Sequence, residues 1–129
     1  MLTRRNLLQS ATGFAVLSAA SPVLAGGHGR IGNFKGASNH VTTGTVELVK
    51  DGNGGTVELG ADFSFDGAPD PKVALGKDGY DKSTLMGLLK SNSGASSYKL
   101  PAGINPDDYN EVWIWCEQFN VPLGVAKLG

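Results

Sequence analysis

Few side chains in this 129-residue chain could do chemistry: one cysteine, two histidines and a scatter of carboxylates. Cys116 lies in VWIWCEQF, residues 112–119, the most apolar run of the C-terminal half. With no second cysteine it can form no disulfide within the chain. A type-one copper centre needs two histidines, a thiolate and a weak axial group. His28, His40, Cys116 and Met86 would fill that inventory, but beyond Cys116 only carbonyls remain to ligate, where such sites usually gather Cys, His and Met. Thioether-bound haem is excluded because no Cys-x-x-Cys-His occurs. Structural zinc needs four ligands, and only three Cys or His exist. Asp51, Asp62, Asp66, Asp70, Asp78 and Asp81 suggest calcium, yet none sits in a calcium-loop pattern, and turn formation accounts for most of them. No nucleophile elbow, phosphate-binding glycine loop or Cys-His hydrolytic pair is visible, so an independent enzyme is not expected.

The elements that must position these residues read as short strands. Thr45 to Lys50 alternates, with Val46 and Leu48 on one face. DGNGG at 51–55 is a hairpin turn cluster. TVELGADFSF at 56–65 then alternates as one strand, with Val57, Leu59, Ala61, Phe63 and Phe65 on one face. DGAPDP at 66–71 breaks the pattern, and Lys72–Leu75 is a short strand. Residues 76–97 read mostly as loop, pinned by Leu85, Leu88 and Leu89 in a helical turn. Tyr98–Leu100, a helical turn from Pro106, Glu111–Cys116 and Val121–Leu128 complete the chain. Residues 26–44, rich in Gly, Asn, Ser and Thr, read as an irregular lead-in anchored by Ile31 and Phe34. About seven or eight short strands without helical periodicity give an all-β domain, an antiparallel sandwich or a barrel-like fold.

On the final strand, Val112, Ile114 and Cys116 share one face and Trp113, Trp115 and Glu117 the other. A strand apolar on both faces is a central, covered one. Cys116 is then either a small buried hydrophobe or a thiolate walled by Trp113, Trp115, Tyr109 and Phe119. His40, in SNHVTTG, is either a hydrogen-bonded loop residue or a ligand.

The N-terminus reads as a bacterial export signal. Arg4-Arg5, preceded by Thr3 and followed by Leu7-Leu8, fits the twin-arginine pattern, with Gln9 in place of the usual lysine. Val23-Leu24-Ala25 is a cleavage pattern. The apolar stretch is shorter than the roughly 20 residues a membrane span needs. Cleavage leaves one domain, 26–129, with nine basic against 12 acidic residues. That acidic balance lacks the basic patch of a nucleic-acid binder. The expected location is periplasmic or secreted, with no membrane span after cleavage. In an oxidising envelope an unpaired cysteine must be safe by burial or useful as a thiolate.

Four stretches carry a resemblance: GNFKGASNHVTTGTVEL, DFSFDGAPDPKVAL, LLKSNSGASSYKLP and YNEVWIWCEQFNVPLGVAKL. Over about residues 30–128 the chain resembles the DM-thirteen family, an electron-transfer domain often found beside DOMON domains. His40 matches the family's histidine before the first strand. Asp62, Phe63, Gly67, Pro69 and Asp70 match its Asp-Phe and Gly-x-Pro-Asp positions, and Cys116 its cysteine in the last aromatic strand. Leu123 departs from the family's phenylalanine, which bears on packing. The resemblance implies a β-sandwich-like domain with a redox role for its cysteine.

Two functions follow. The first is an exported redox module using Cys116 as reactive thiol or cofactor ligand, with His40 and Trp115 beside it. Its centre would be a metal (His40 and Cys116) or a haem-like group, and its partner an envelope redox protein. Asp62 and Asp70 are further site candidates. The second is a non-catalytic envelope module that binds protein or glycan through loop 76–97, with Cys116 as core packing.

Overall fold

Alternation of apolar and polar residues shapes about half of the described residues into strands. The computed structural model describes residues 29–129. The expected export signal with Arg4 and Arg5, the expected cleavage point after Ala25, and His28 lie outside the described residues. The strands are β1 (Arg30–Gly36), β2 (Thr42–Thr43), β3 (Thr45–Asp51), β4 (Gly54–Leu59), β5 (Ser64–Phe65), β6 (Pro71–Gly76), β7 (Tyr80–Asp81), β8 (Ser96–Lys99), β9 (Glu111–Cys116) and β10 (Val121–Lys127). Eight form one sheet in the order β7-β6-β9-β10-β1-β3-β4-β8, and β2 pairs with β5 as a separate ribbon. All pairings are antiparallel. The sheet curls into a half-barrel. The fold is therefore the barrel-like alternative, built on eight strands of a single sheet.

The inner face of the curl holds the core. Val46 and Leu48, Val57 and Leu59, Val73 and Leu75, and Val112, Ile114 and Cys116 all point inward and are buried. Phe63 and Phe65 close the concave side, and Phe63 meets Phe34 edge to face at 5.4 Å. At about 25 cal/mol per Å² of buried apolar surface, rings of this size are major contributors to stability.

Three sequence expectations change. First, the irregular lead-in contains β1, which sits mid-sheet between β10 and β3. Phe34 is an anchor, but Ile31 is 45 % exposed. Second, 56–65 is not one strand. After Leu59 the chain turns, with Phe63 N–H bonded to Gly60 O at 3.1 Å. Asp62 Oδ1 drives the turn by accepting from Thr45 N (2.9 Å) and Thr45 Oγ1 (2.8 Å), so its side chain offers the backbone an alternative to the ladder. Ala61 is consequently exposed. Third, loop 76–97 is shorter than expected. It contains β7, a 3-10 turn at Lys82–Thr84 and the start of β8. Its anchor is Thr84, wholly buried, whose Oγ1 accepts from Leu75 N at 2.7 Å. Met86 and Leu89 pack on the core, whereas Leu88 is 58 % exposed. The 3-10 turn at Pro106–Asp108 lies where proline predicted a helical turn.

No helix among the described residues is long and apolar enough to cross a membrane.

Candidate functional site

The central strand β9 carries different chemistry on its two faces. Inward, Cys116 ends the strand opposite Pro71 of β6 and Val121 of β10. It is 1 % exposed, and its sulfur makes no hydrogen bond among the described residues. Just beyond, β10 bulges between Pro122 and Gly124. The bulge turns Leu123 into the core and aims its carbonyl at Ala37 N–H (3.1 Å) and Thr42 Oγ1–H (2.9 Å). The segment leading to His40 is thereby tied to the Cys116 end of the sheet.

His40 follows a tight turn in which Ser38 and Asn39 both have positive φ, 54° and 65°. Its Nδ1 lies 2.9 Å from Asp66 Oδ1, and its ring centroid 5.7 Å from that of Phe65. Asp66 Oδ2 accepts from Val41 N at 3.0 Å. That amide, then His40, hold the Asp66 carboxyl below the usual range. His40 is thus an oriented, half-buried loop histidine, and no hydrogen bond joins it to Cys116. Asp62 and Asp81 also act as backbone acceptors. The Asp81 carboxylate accepts from Ser83 Oγ (2.7 Å), Ser83 N (2.9 Å) and Tyr109 O–H (2.9 Å). These bonds, Ser83 foremost, lower its pKa. Asp70, at φ 109°, flanks Pro71, lies 3.4 Å from Lys72 Nζ and accepts Glu117 N–H on its carbonyl. Among the described residues no three His, Cys, Asp or Glu side chains come together to hold a metal.

Outward, β9 carries Glu111, Trp113 and Trp115. Sequence alternation put both tryptophans on a covered face; the structure leaves them half-exposed on the convex side. Beneath them lie small residues of β6, Ala74 opposite Trp113 and Gly76 opposite Glu111. A Cβ on Gly76 would stand 2.5 Å from Trp113 Nε1, so glycine is what admits the indole. Trp115 stacks on Tyr80 with centroids 3.8 Å apart and rings 9° from parallel. Trp113 meets Trp115 edge to face at 5.8 Å. Lys72 sits beside this stack, paired with Glu117 and Asp70, and both partners raise its pKa, Glu117 more. Glu111 is 1 % exposed yet charged. Its Oε1 accepts from Gly79 N (2.8 Å) and Trp113 Nε1 (3.1 Å), and its Oε2 from Lys127 Nζ (2.6 Å). Burial pushes its pKa up, but these bonds, Lys127 first, outweigh burial and hold it below the ordinary value. Sequence reasoning missed Tyr80 and Glu111. Tyr80 sits 35 positions before Trp115 in a segment that reads as loop, and a glutamate opening a strand gives no sign of burial.

Strand β9 thus carries a buried thiol on one face and a three-ring aromatic cluster on the other, and a family comparison covers both. The family model described as Electron transfer DM13 matches residues 33–128. The chain belongs to the DM13 family. The DM13 match spans His40, Asp66, Tyr80, Glu111, Trp115 and Cys116 alike. No curated protein and no solved structure matches the chain.

Proposed function

We propose that this DM13 domain is an exported redox module whose electron-transfer role rests on Cys116. The observation that carries this is membership of an electron-transfer family by a chain with a single thiol, fixed at the end of the central strand. Trp115, the neighbouring residue, reaches the surface in contact with Tyr80. That face is where a redox partner protein in the envelope would approach. Family membership supports the redox class, the export signal supports the location, and the position of Cys116 supports its role. Among the described residues no group of three or more His, Cys, Asp or Glu could hold a metal ion. Cys116 acts as a reactive thiol or as a ligand of a redox centre, a metal or haem-like group, with His40 as the second proposed ligand and Trp115 beside it.

One observation favours a second function. Cys116 is surrounded by apolar core and has no polar partner, as a packing residue would be. The protein would then be a non-catalytic binding module of the envelope.

Protein exported from its own host, examined by elemental analysis, absorption spectrum and N-terminal sequencing, separates the two. A stoichiometric centre or a titratable thiol signal that Cys116→Ser removes supports the redox module. A spectrum and metal content identical in wild type and Cys116→Ser, with a thiol inert until unfolding, overturns it. An N-terminus at Met1 in the cytoplasmic fraction overturns export.

A further inference from the structure

The convex face carries a second site, independent of Cys116. Beside Trp113 a groove of about 350 Å³ opens, lined by Asp78, Gly79, Glu111, Trp113, Val125 and Lys127. Three features show that it is built. The indole of Trp113 is fixed, held by Glu111 at its nitrogen and seated over Gly76. The Glu111 carboxylate on the floor is nearly inaccessible, so its position is set by Gly79, Trp113 and Lys127 rather than by water. The Asp78-Gly79 turn is clamped over it, with Asp78 at φ 55° and Lys77 N–H bonded to Gly79 O at 3.0 Å. A non-glycine residue at positive φ is strained by about 1 kcal/mol or more and persists only where its surroundings demand it.

The wall and the rim ask for different things of a ligand. Trp113 with Val125 offers a flat apolar surface. Asp78 on the rim offers an exposed acceptor, and Lys127, whose side chain is 71 % exposed while its ammonium bonds Glu111, offers further donor hydrogens. Charges of both signs within one small groove disfavour a strongly charged ligand, because either sign meets a like charge. A molecule with one apolar face and a rim of hydroxyls satisfies all of these groups at once. A pyranose ring has that shape: its axial C–H groups lie on an indole while its hydroxyls donate to the Asp78 carboxylate and accept from an ammonium. The volume suits about one sugar ring, near the lower end for small-ligand pockets. We propose that the Trp113 groove binds a neutral pyranose unit of an envelope glycan.

The test is isothermal titration calorimetry of the folded protein with cellotriose, maltotriose and N-acetylchitotriose in turn. At least one should bind saturably, with Kd between about 10 µM and 1 mM, as expected for a single-ring site. Trp113→Leu, which keeps an apolar group but removes the flat ring, should weaken that binding at least about tenfold. Asp78→Asn alters an exposed rim carboxylate, keeps a residue type that tolerates its positive φ and should leave the fold intact, while weakening binding about three- to tenfold. Absence of heat with all three sugars up to about 10 mM overturns the proposal, as does binding that both variants leave unchanged. Cys116→Ser should bind as the wild type does, so loss of redox behaviour and loss of sugar binding are read separately.

Discussion

Replacing Cys116 by alanine and by serine measures what surrounds the sulfur. The residue is 1 % exposed, with Val112 and Ile114 on the same face of β9, and the sulfur has no hydrogen-bond partner. Alanine removes one buried heavy atom, comparable to one or two methylenes at ~0.8 kcal/mol each, with a small cavity added, so the cost is about 1–2 kcal/mol. Serine keeps the size nearly constant but buries a hydroxyl with no partner, a penalty of about 1–3 kcal/mol that comes on top of the smaller atom's lost packing. The expected order of stability is cysteine, then alanine, then serine, with serine below alanine by about 1 kcal/mol. For a domain of this size 1 kcal/mol shifts the midpoint by about 4–8 °C. Thermal and urea melts followed by circular dichroism would show the difference, with an alkylation time course on the wild type run beside them. A serine variant as stable as alanine or more so would refute the reasoning, since it would mean that the sulfur faces water or a polar group.

Acidification should destabilise the fold. Glu111, Asp62 and Asp81 have folded-state pKa values below their ordinary 3.8 to 4.5, so their contribution is present above that range and is lost as pH falls through the lower folded values. Melts between pH 6 and about 2.5 should show a midpoint steady to about pH 5 and falling below it. Glu47 and Glu58 stand directly opposite each other in the β3–β4 ladder. Glu58→Lys turns a like-charge pair into an opposite one and should stabilise by about 0.2–1 kcal/mol in urea melts, less at high salt. Gly124→Ala would place a Cβ 2.8 Å from the Thr42 side chain, which is held by Leu123 O. A cost of about 1–3 kcal/mol is expected, and a neutral effect would mean that the bulge is loose. Tyr80→Ala uncovers one face of Trp115 and should red-shift tryptophan emission while lowering stability by at least about 0.5–1.5 kcal/mol.

Strand β3 and the body of β4 were legible because one wet face and one dry face impose period two, whereas β9 was legible as an unbroken apolar, aromatic run between turn residues. Glu111–Cys116 was bounded correctly for that reason. The segment containing β1 was not legible, because its pattern serves close backbone approach rather than burial alone. A Cβ at Gly32 would lie 2.3 Å from Lys127 O, and one at Gly36 1.9 Å from His40 O. Those glycines read locally as loop and acquire meaning only when β10 and the 37–42 turn arrive. Ala61 fits the alternation of its neighbours, yet the Asp62–Thr45 bonds override the pattern. For the candidate site, alternation correctly put Cys116 on a face with Val112 and Ile114. It could not say that the tryptophan face lacks a second layer, because covering is a property of the whole sheet. The pairing of Tyr80 with Trp115 and the burial of Glu111 depend on the β6–β7 hairpin folding back, which no short-range signal announces.

The place of β1 between β10 and β3 governs when this domain can exist. The seam that joins the two halves of the sheet is made by its first strand and its last, and Gly129 N–H closes on Ile31 O at 3.0 Å. During synthesis β1 can pair with β3 early, but its other edge stays unmet until Val121–Lys127 has left the ribosome. Until then a nascent chain carries an open β-edge next to an unfinished core, the situation in which strands recruit wrong partners. Pairing across such a sequence distance is also slow. Folding of the sheet should therefore complete only once β10 has been made, and a chain cut before Val121 should lose the middle of its sheet rather than one margin.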